Sequence, residues 1–232
     1  MLSSLLQKTV GDYKDLLKQG ERIRLEKNAR IVDAEKGLDY IFYLEDGIVA
    51  LIDVLEDGDE RIYRYHKRGE LLGIFKLYNM IPCLKNSPQH TVCGIYNSVA
   101  KTECVVYRLE PEAVLRFLYQ NPEMLIEQIR MTGKVNINHS FRYSRMLKNR
   151  TPNILCEVLL EFSRERDGIL QLDPYFSNAE IARYMGIHVV TVGKILKQLR
   201  AEKLIDRRDG RIIILDRKGI EAYLGEKIMK YS

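Results

Sequence analysis

Apolar positions along the chain change period more than once. Leu5, Leu6, Val10, Tyr13, Leu16 and Leu17 recur at helical spacing until Gly20. Beyond it the period is two. Ile23 and Leu25 alternate with Arg22, Arg24 and Glu26, and strands are predicted over 40–44, 48–55 and 60–66. Glu45-Asp46-Gly47 and Asp57-Gly58 separate them. Asp-Gly between alternating strands predicts a tight hairpin, because both central residues of a type I′ turn need positive φ. Arg68-Gly69 marks another turn before 71–75, a loop follows over 82–88, and strands resume over 91–96 and 99–109. So many short strands with turns at this spacing predict an antiparallel barrel or jelly roll.

At Glu110-Pro111 the period becomes helical. One helix is predicted from Pro111 to Tyr119, and Asn121-Pro122 starts a longer one reaching about Lys148. With no internal proline and only Gly133 to interrupt it, this second helix exceeds roughly 35 Å at 1.5 Å per residue. Leu125, Ile129, Thr132, Asn136, His139, Tyr143 and Met146 follow the 4-3 spacing of a coiled-coil seam. Ile126, Val135, Ile137 and Phe141 fall outside it, so the helix is expected to pack on two sides, against a partner subunit and against its own barrel. Thr151-Pro152 opens the next helix, with Ile154, Leu155, Val158, Leu159 and Phe162 as its core face and Asp167-Gly168 as its stop.

Residues 177–205 contain two short helical patterns meeting at Gly186. Ile181, Met185, Ile187, Val192, Ile195 and Leu199 are their apolar positions, with Ala182 small enough for a helix crossing. Ser177 and Glu180 suit a capping box, Gly186 suits a left-handed turn too tight for a side chain, and His188 begins the second helix. This reads as a helix-turn-helix, with a plain helical hairpin as the alternative. The turn Arg208-Asp209-Gly210 and the strand 211–215 add a β-wing, and a last helix is predicted over 219–229.

Composition and charge refine this outline. The 232 residues, 46% hydrophobic, suit one large domain or two modest ones. No run of eighteen apolar residues occurs and no signal segment opens the chain, so a cytoplasmic protein is expected. Residues 1–144 hold 20 Lys+Arg against 20 Asp+Glu, whereas 145–232 hold 17 against 12; the net charge of +5 lies entirely in the part that contains the helix-turn-helix, which favours a polyanion partner. Cys83, Cys93, Cys104 and Cys156 lack CxxC spacing, so disulfides are not expected. Cys83, His90 and Cys93 share one loop region but match no strong metal or haem signature. Only His66 and His90 lie in the roll, too few ligands for a cupin-type metalloenzyme. No catalytic constellation and no metal site is expected.

An antiparallel roll, a long helix and a winged helix-turn-helix resemble the CRP/FNR family of bacterial transcription regulators. The resemblance is carried by residues 40–49 with Gly58, Gly69 and Gly73 in the roll. In the C-terminal part it rests on Glu180-Ile181-Ala182, Gly186 and Thr191-Val192-Gly193-Lys194-Ile195-Leu196. It implies an α+β chain with an effector-sensing roll over 1–120, a dimerisation helix over 121–148 and a winged helix-turn-helix over 149–232. A homodimer would then bind a pseudo-palindromic operator, meet RNA polymerase, and respond to a small effector in the roll. Leu125, Ile129, Tyr143 and Met146 are its expected dimer seam.

Family members that bind cAMP place a glutamate after the glycine equivalent to Gly73, and an Arg-Ser pair on a later turn. Here Ile74 and Gly94-Ile95 stand at those positions. A buried phosphate without a guanidinium is poorly compensated, which disfavours a cyclic nucleotide. The effector candidates are Ile74, Phe75, Tyr78, Ile95 and Tyr96, with Thr132, Asn136 and His139 on the long helix; the first group equally suits core packing, the second a register-setting seam. Iron-sulfur sensing is disfavoured because the first 82 residues contain no cysteine. Haem or redox sensing, and an adaptor that has lost its DNA contacts, remain alternatives.

For DNA, His188, Val189, Val190 and Lys194 are expected to reach base edges, and Ser177, Asn178, Thr191, Arg207, Arg208 and Arg211 to meet phosphates. Many members of the family carry a glutamate at the position of Val190, where it accepts from cytosine N4. Valine packs on a thymine methyl instead, so A·T-rich half-sites are expected, nearer TTAAT than TTGAT. Lys194 replaces a common arginine, leaving a point charge in place of a bidentate fork. The run from Gly186 to Val192 is locally similar to the halophenol-responsive regulators of the family.

Overall fold

The computed structural model describes residues 13–32, 39–54, 60–74, 76–80, 97–147 and 150–225. The chain divides into two compact units, Met1–Lys134 and Val135–Ser232, with the division inside the long helix. The turn expected at Asp57-Gly58, the strand over 91–96 and the loop holding Cys83, His90 and Cys93 lie outside the described residues.

The first unit is an antiparallel roll. After a single helical turn, α1 (Lys14–Leu17), come β1 (Glu21–Leu25), β2 (Arg30–Val32), β3 (Ile41–Asp46), β4 (Val49–Val54), β5 (Glu60–His66) and β6 (Leu71–Leu72). Helix α2 (Lys76–Met80) precedes β7 (Asn97–Ala100), β8 (Cys104–Leu109) and α3 (Pro111–Gln120). The strands form two sheets, β1-β8-β3-β6 and β2-β7-β4-β5. Leu44, Val49, Leu72, Ala100, Cys104 and Val106 make one core cluster, drawn from both sheets. A second cluster joins Ile41 and Leu109 to Leu16, Val114, Phe117, Leu118 and Met124, which seats the flanking helices.

Four expectations need correction here. Asp46-Gly47 does not turn a tight hairpin, because β3 and β4 lie in different sheets and only Gly47 of the pair has positive φ. The strand over 99–109 is two strands in different sheets, because the polar triplet Lys101-Thr102-Glu103 lets the chain cross between them. Lys101 N–H donates to Ile48 O at 2.8 Å, and Thr102 Oγ1 accepts from Ile48 N–H at 3.0 Å. Gly47 (φ 99°) lies against this crossing; a Cβ there would sit 2.5 Å from Cys104 Sγ and 2.6 Å from Glu103 O. The strand expected over 71–75 stops at Leu72, since Gly73 takes φ 78° and its carbonyl accepts from Lys76 N–H at 2.9 Å to start α2.

The fourth correction concerns the long helix, α4 (Pro122–Leu147), whose 26 residues span roughly 39 Å. Its buried face is Met124 and Gln128, with Gln128 Nε2 bonded to the Tyr13 hydroxyl. Ile126, Ile137 and Phe141, expected to help seat the helix on the roll, are exposed instead. At 100° per residue Met124 and Gln128 fall on the side opposite Ile126 and Ile137, so one helix cannot bury both. Val135, on the Gln128 side, is half-buried.

The second unit is built on α5 (Thr151–Phe162), β9 (Ser163–Arg166), β10 (Ile169–Leu172), α6 (Asn178–Met185), α7 (Val189–Ala201), β11 (Ile205–Arg208), β12 (Arg211–Ile214) and α8 (Arg217–Ala222). The four strands form one antiparallel sheet, β11-β12-β10-β9. Helix α5 does not run to Asp167-Gly168 as expected. It stops at Phe162, and Asp167-Gly168, with φ of 52° and 73°, turns a β9–β10 hairpin. The last helix is likewise shorter, Arg217–Ala222, and its predicted end lies beyond the described residues. Phe162 stacks on Phe176 at 4.4 Å and meets Tyr184 edge-on at 5.1 Å, tying α5 to α6.

Candidate nucleic-acid interface

Helices α6 and α7 are set by their ends. Ser177 caps α6, its Oγ accepting from Glu180 N–H at 3.2 Å, while the Glu180 carboxylate pairs with Arg183 at 3.2 Å. Gly186 ends α6 in the left-handed region (φ 65°), and Ile187 N–H donates back to Ala182 O at 3.1 Å. A Cβ at Gly186 would meet nothing within 4 Å, so the turn demands glycine for its φ and not for lack of room. His188 caps α7: its Nδ1 accepts from Val190 N–H at 3.3 Å, and its carbonyl accepts from Thr191 N–H at 3.0 Å. At the far end, the Tyr223 hydroxyl donates to Glu202 Oε2 at 2.7 Å and Gln198 Nε2 to Glu202 Oε1 at 3.1 Å.

With Val192, Ile195, Leu196 and Leu199 buried, α7 has one face left for a partner. Val190, 55% exposed, stands there with Val189, His188 and Lys194, and Thr191 is half-buried beside them. Lys197 and Arg200 continue the exposed face toward the C-terminus. Sequence reasoning passed over these two, although Lys197 stands three residues after Lys194 and Arg200 three after Lys197, the spacing of neighbours on one helix face.

The residues expected at phosphates are brought together in part. Ser177 is exposed and, as an acceptor in its cap, keeps its own O–H to donate. Arg207 Nη2 donates to Asn178 Oδ1 at 2.8 Å, joining the wing to the first turn of α6. Arg211 Nη1 donates to Gln171 Oε1 at 3.1 Å across the sheet. Asp206, missed from the sequence, takes Arg207 N–H on Oδ1 at 2.8 Å and Arg208 Nε on Oδ2 at 3.4 Å, with Arg200 Nη2 3.3 Å from Oδ1. The Arg207 backbone N–H first, then Arg208 and Arg200, hold its carboxyl below the ordinary carboxylate range. The β11–β12 turn is Asp209-Gly210, with φ of 49° and 76°.

Of the effector candidates, Ile74 is half-buried against the cluster containing Leu16, Leu109 and Phe117. Thr132 is half-buried and Asn136 exposed, on either side of the division between the units. Phe75, Ile95 and Tyr96, and the side chains of Tyr78, His139 and Met146, lie outside the described residues. In the roll, Glu70 Oε2 accepts from Arg64 Nη2 and, at 3.2 Å, from His66 Nδ1. Burial pushes His66 down against that hydrogen bond. Burial also pushes Glu70 up, but the His66 hydrogen bond and the Arg64 guanidinium outweigh it and hold the carboxyl below its usual range. Cys104 and Cys156 are buried, and burial pushes the Cys104 thiol up. Among the described residues no helix is long and apolar enough to cross a membrane.

An antiparallel roll together with a helix-turn-helix and a basic β-wing defines a DNA-binding regulator. Comparison with known proteins gives the family. Residues 22–121 match the cyclic nucleotide-binding domain, and residues 155–223 the Crp-like helix-turn-helix domain. The cAMP-activated global transcriptional regulator CRP of Escherichia coli is 23% identical over 192 residues, covering 81% of this chain and 86% of the relative. The lactate racemization regulatory protein of Lactiplantibacillus plantarum is also 23% identical, over 76% of this chain and 79% of its own. A CRP-family transcriptional regulator from Thermus thermophilus has the same fold, with a TM-score of 0.63 at 24% identity over 89% of this chain and 98% of that one. The chain belongs to the CRP/FNR family of DNA-binding transcription regulators.

Proposed function

We propose that this regulator binds a pseudo-palindromic, A·T-biased operator as a homodimer, under control of a small effector other than cAMP held in the roll. The observation that carries the operator reading is Val190, exposed on the unburied face of α7 beside the cap residue His188. A valine at a base edge offers no acceptor to cytosine N4 and a good apolar surface to a thymine methyl. Dimerisation is supported by the apolar stripe of α4. Ile126 and Ile129, 65% and 64% exposed, share that stripe with Leu125, Ile137 and Phe141, more apolar surface than a lone helix keeps in water. Gly133 and Ser140 lie among them, small enough for a second helix to approach.

The effector reading departs from the Escherichia coli relative, whose name records activation by cAMP. Ile74 replaces the glutamate of cAMP-binding members and lies against an apolar cluster, where a ribose hydroxyl would find no carboxylate from this residue. Redox sensing through Cys104 or Cys156 gains no support from two buried thiols. Contact with RNA polymerase and a cytoplasmic site follow from family resemblance. Binding-site selection with the purified protein tests the operator reading. Enriched inverted repeats with A·T at the Val190 step are expected, and half-sites that keep G·C there would overturn the thymine-methyl argument.

A further inference from the structure

The second unit holds a carboxylate where a polyanion is expected to dock. Asp206 follows the first residue of β11, and its two oxygens serve three consecutive demands: the Arg207 backbone N–H at 2.8 Å, Arg208 Nε at 3.4 Å and Arg200 Nη2 at 3.3 Å. Arg200 belongs to the exposed face of α7 that carries Lys194 and Lys197, and Arg207 reaches Asn178 at the start of α6. The Arg200 and Arg208 side chains are 65% and 57% exposed, that of Asp206 28%. A chain whose C-terminal part carries all its excess positive charge has thus set a negative group in the middle of its wing cations.

A purely structural role for Asp206 needs only one acceptor, for the Arg207 N–H at the start of the wing. The full negative charge has another consequence. Each guanidinium already paired with a carboxylate must give up that partner before it can neutralise a phosphate and release a counterion. We propose that Asp206 is a positioning residue for DNA selectivity: it holds Arg200 and Arg208 away from the phosphates, so that sequence-independent binding is weakened and base contacts from α7 decide where the protein stays. The proposal rests on the wing and α7 facing DNA, the reading given above.

The test is the dependence of affinity on KCl concentration, measured on a mixed-sequence duplex with the full-length protein. Asp206→Asn keeps the shape and an acceptor for the Arg207 N–H but removes the charge. Its salt slope is expected to steepen by about one to two, since each added phosphate contact contributes about 0.9 on duplex DNA. One added contact corresponds to an extra loss of about 3- to 4-fold in affinity between about 50 and 200 mM salt. Adding Arg208→Gln to Asp206→Asn should remove part of that gain. In the wild-type background, where Asp206 already engages both guanidiniums, Arg200→Gln with Arg208→Gln should flatten the slope by well under about 1.8, the share of two full phosphate contacts. This arm does not depend on Asp206→Asn folding. An unaltered slope in a folded Asp206→Asn protein overturns the inference, as does a slope flattened by the full value of about 1.8 in the double glutamine variant. In both cases DNA binding by the wild type stands. Failure of the wild type to bind any duplex overturns the functional reading and this inference with it.

Discussion

At the scale of single residues, conformation and chemistry separate cleanly at two positions. Gly186 has open space around its Cα yet sits at φ 65°, so Gly186→Ala should cost about 1 to 2 kcal/mol through backbone strain alone, read as a lower urea midpoint with unchanged helix content. A larger loss would mean that side-chain room also matters there. Val190→Glu tests the opposite kind of role. It should leave stability untouched and shift half-site preference toward G·C by about 1 to 3 kcal/mol per half-site, measured by competition between paired duplexes. His66 provides a pH signature. As pH falls through about 6.5, the unfolded chain takes up a proton on this ring while the buried ring resists, so acid favours the unfolded state. Stability attributable to His66 is therefore present above about pH 6.5 and lost progressively below it. The contribution of Glu70, whose folded value is also depressed, survives to stronger acid because its ordinary value is 4.5. Unfolding at fixed protein concentration, at about pH 7 and about pH 5.5, should show a smaller drop for His66→Gln than for the wild type.

Elements differ in how far their ends and partners could be read from local residues. The ends of α3 and α4 were legible because Pro111 and Pro122 fix the first turn of each helix, and α6 because Ser177 and Gly186 supply opposite caps. Helix α5 misled: its apolar face ends at Phe162, but no proline or glycine follows until Gly168, so the β9–β10 hairpin hid behind a continuous polar run. The same Asp-Gly logic that marked the wing turn applied at Asp167-Gly168 and was read there as a helix stop. On α4 the 4-3 seam drew attention to Thr132, Asn136 and His139, whereas the apolar exposed stripe is rotated toward Ile126, Ile137 and Phe141. A heptad template cannot say which face the roll occupies; Met124 and Gln128 decide that through tertiary contact. Ile129 lies on the exposed stripe in either reading. For the homodimer proposed above, Ile129→Asp should therefore sediment as a 27 kDa monomer at micromolar concentration where the wild type sediments as a dimer, without lowering helix content. A variant that remains dimeric would remove α4 as the principal interface.

For the molecule as a whole, the legible part is the order of modules, and the obscure part is the signal that reaches them. Turn residues and strand period reveal a roll, and capping residues reveal a helix-turn-helix, because both are local chemistry. An effector site is a convergence of distant side chains, and Ile74, the one departure from cAMP chemistry among the described roll residues, is informative only beside its apolar neighbours. A ligand changes DNA affinity only to the extent that it binds the two conformations of the protein unequally. With Ile74 in place of a carboxylate, cAMP lacks one of the polar contacts through which it could distinguish them. Operator affinity measured by fluorescence anisotropy should accordingly be the same with and without saturating cAMP. Ile74→Glu alone should not create a response, because the phosphate would still lack its guanidinium. A change of about tenfold or more on adding cAMP to the wild type, equivalent to about 1.4 kcal/mol of coupling, would show that the roll recognises the nucleotide by groups other than those its relatives use.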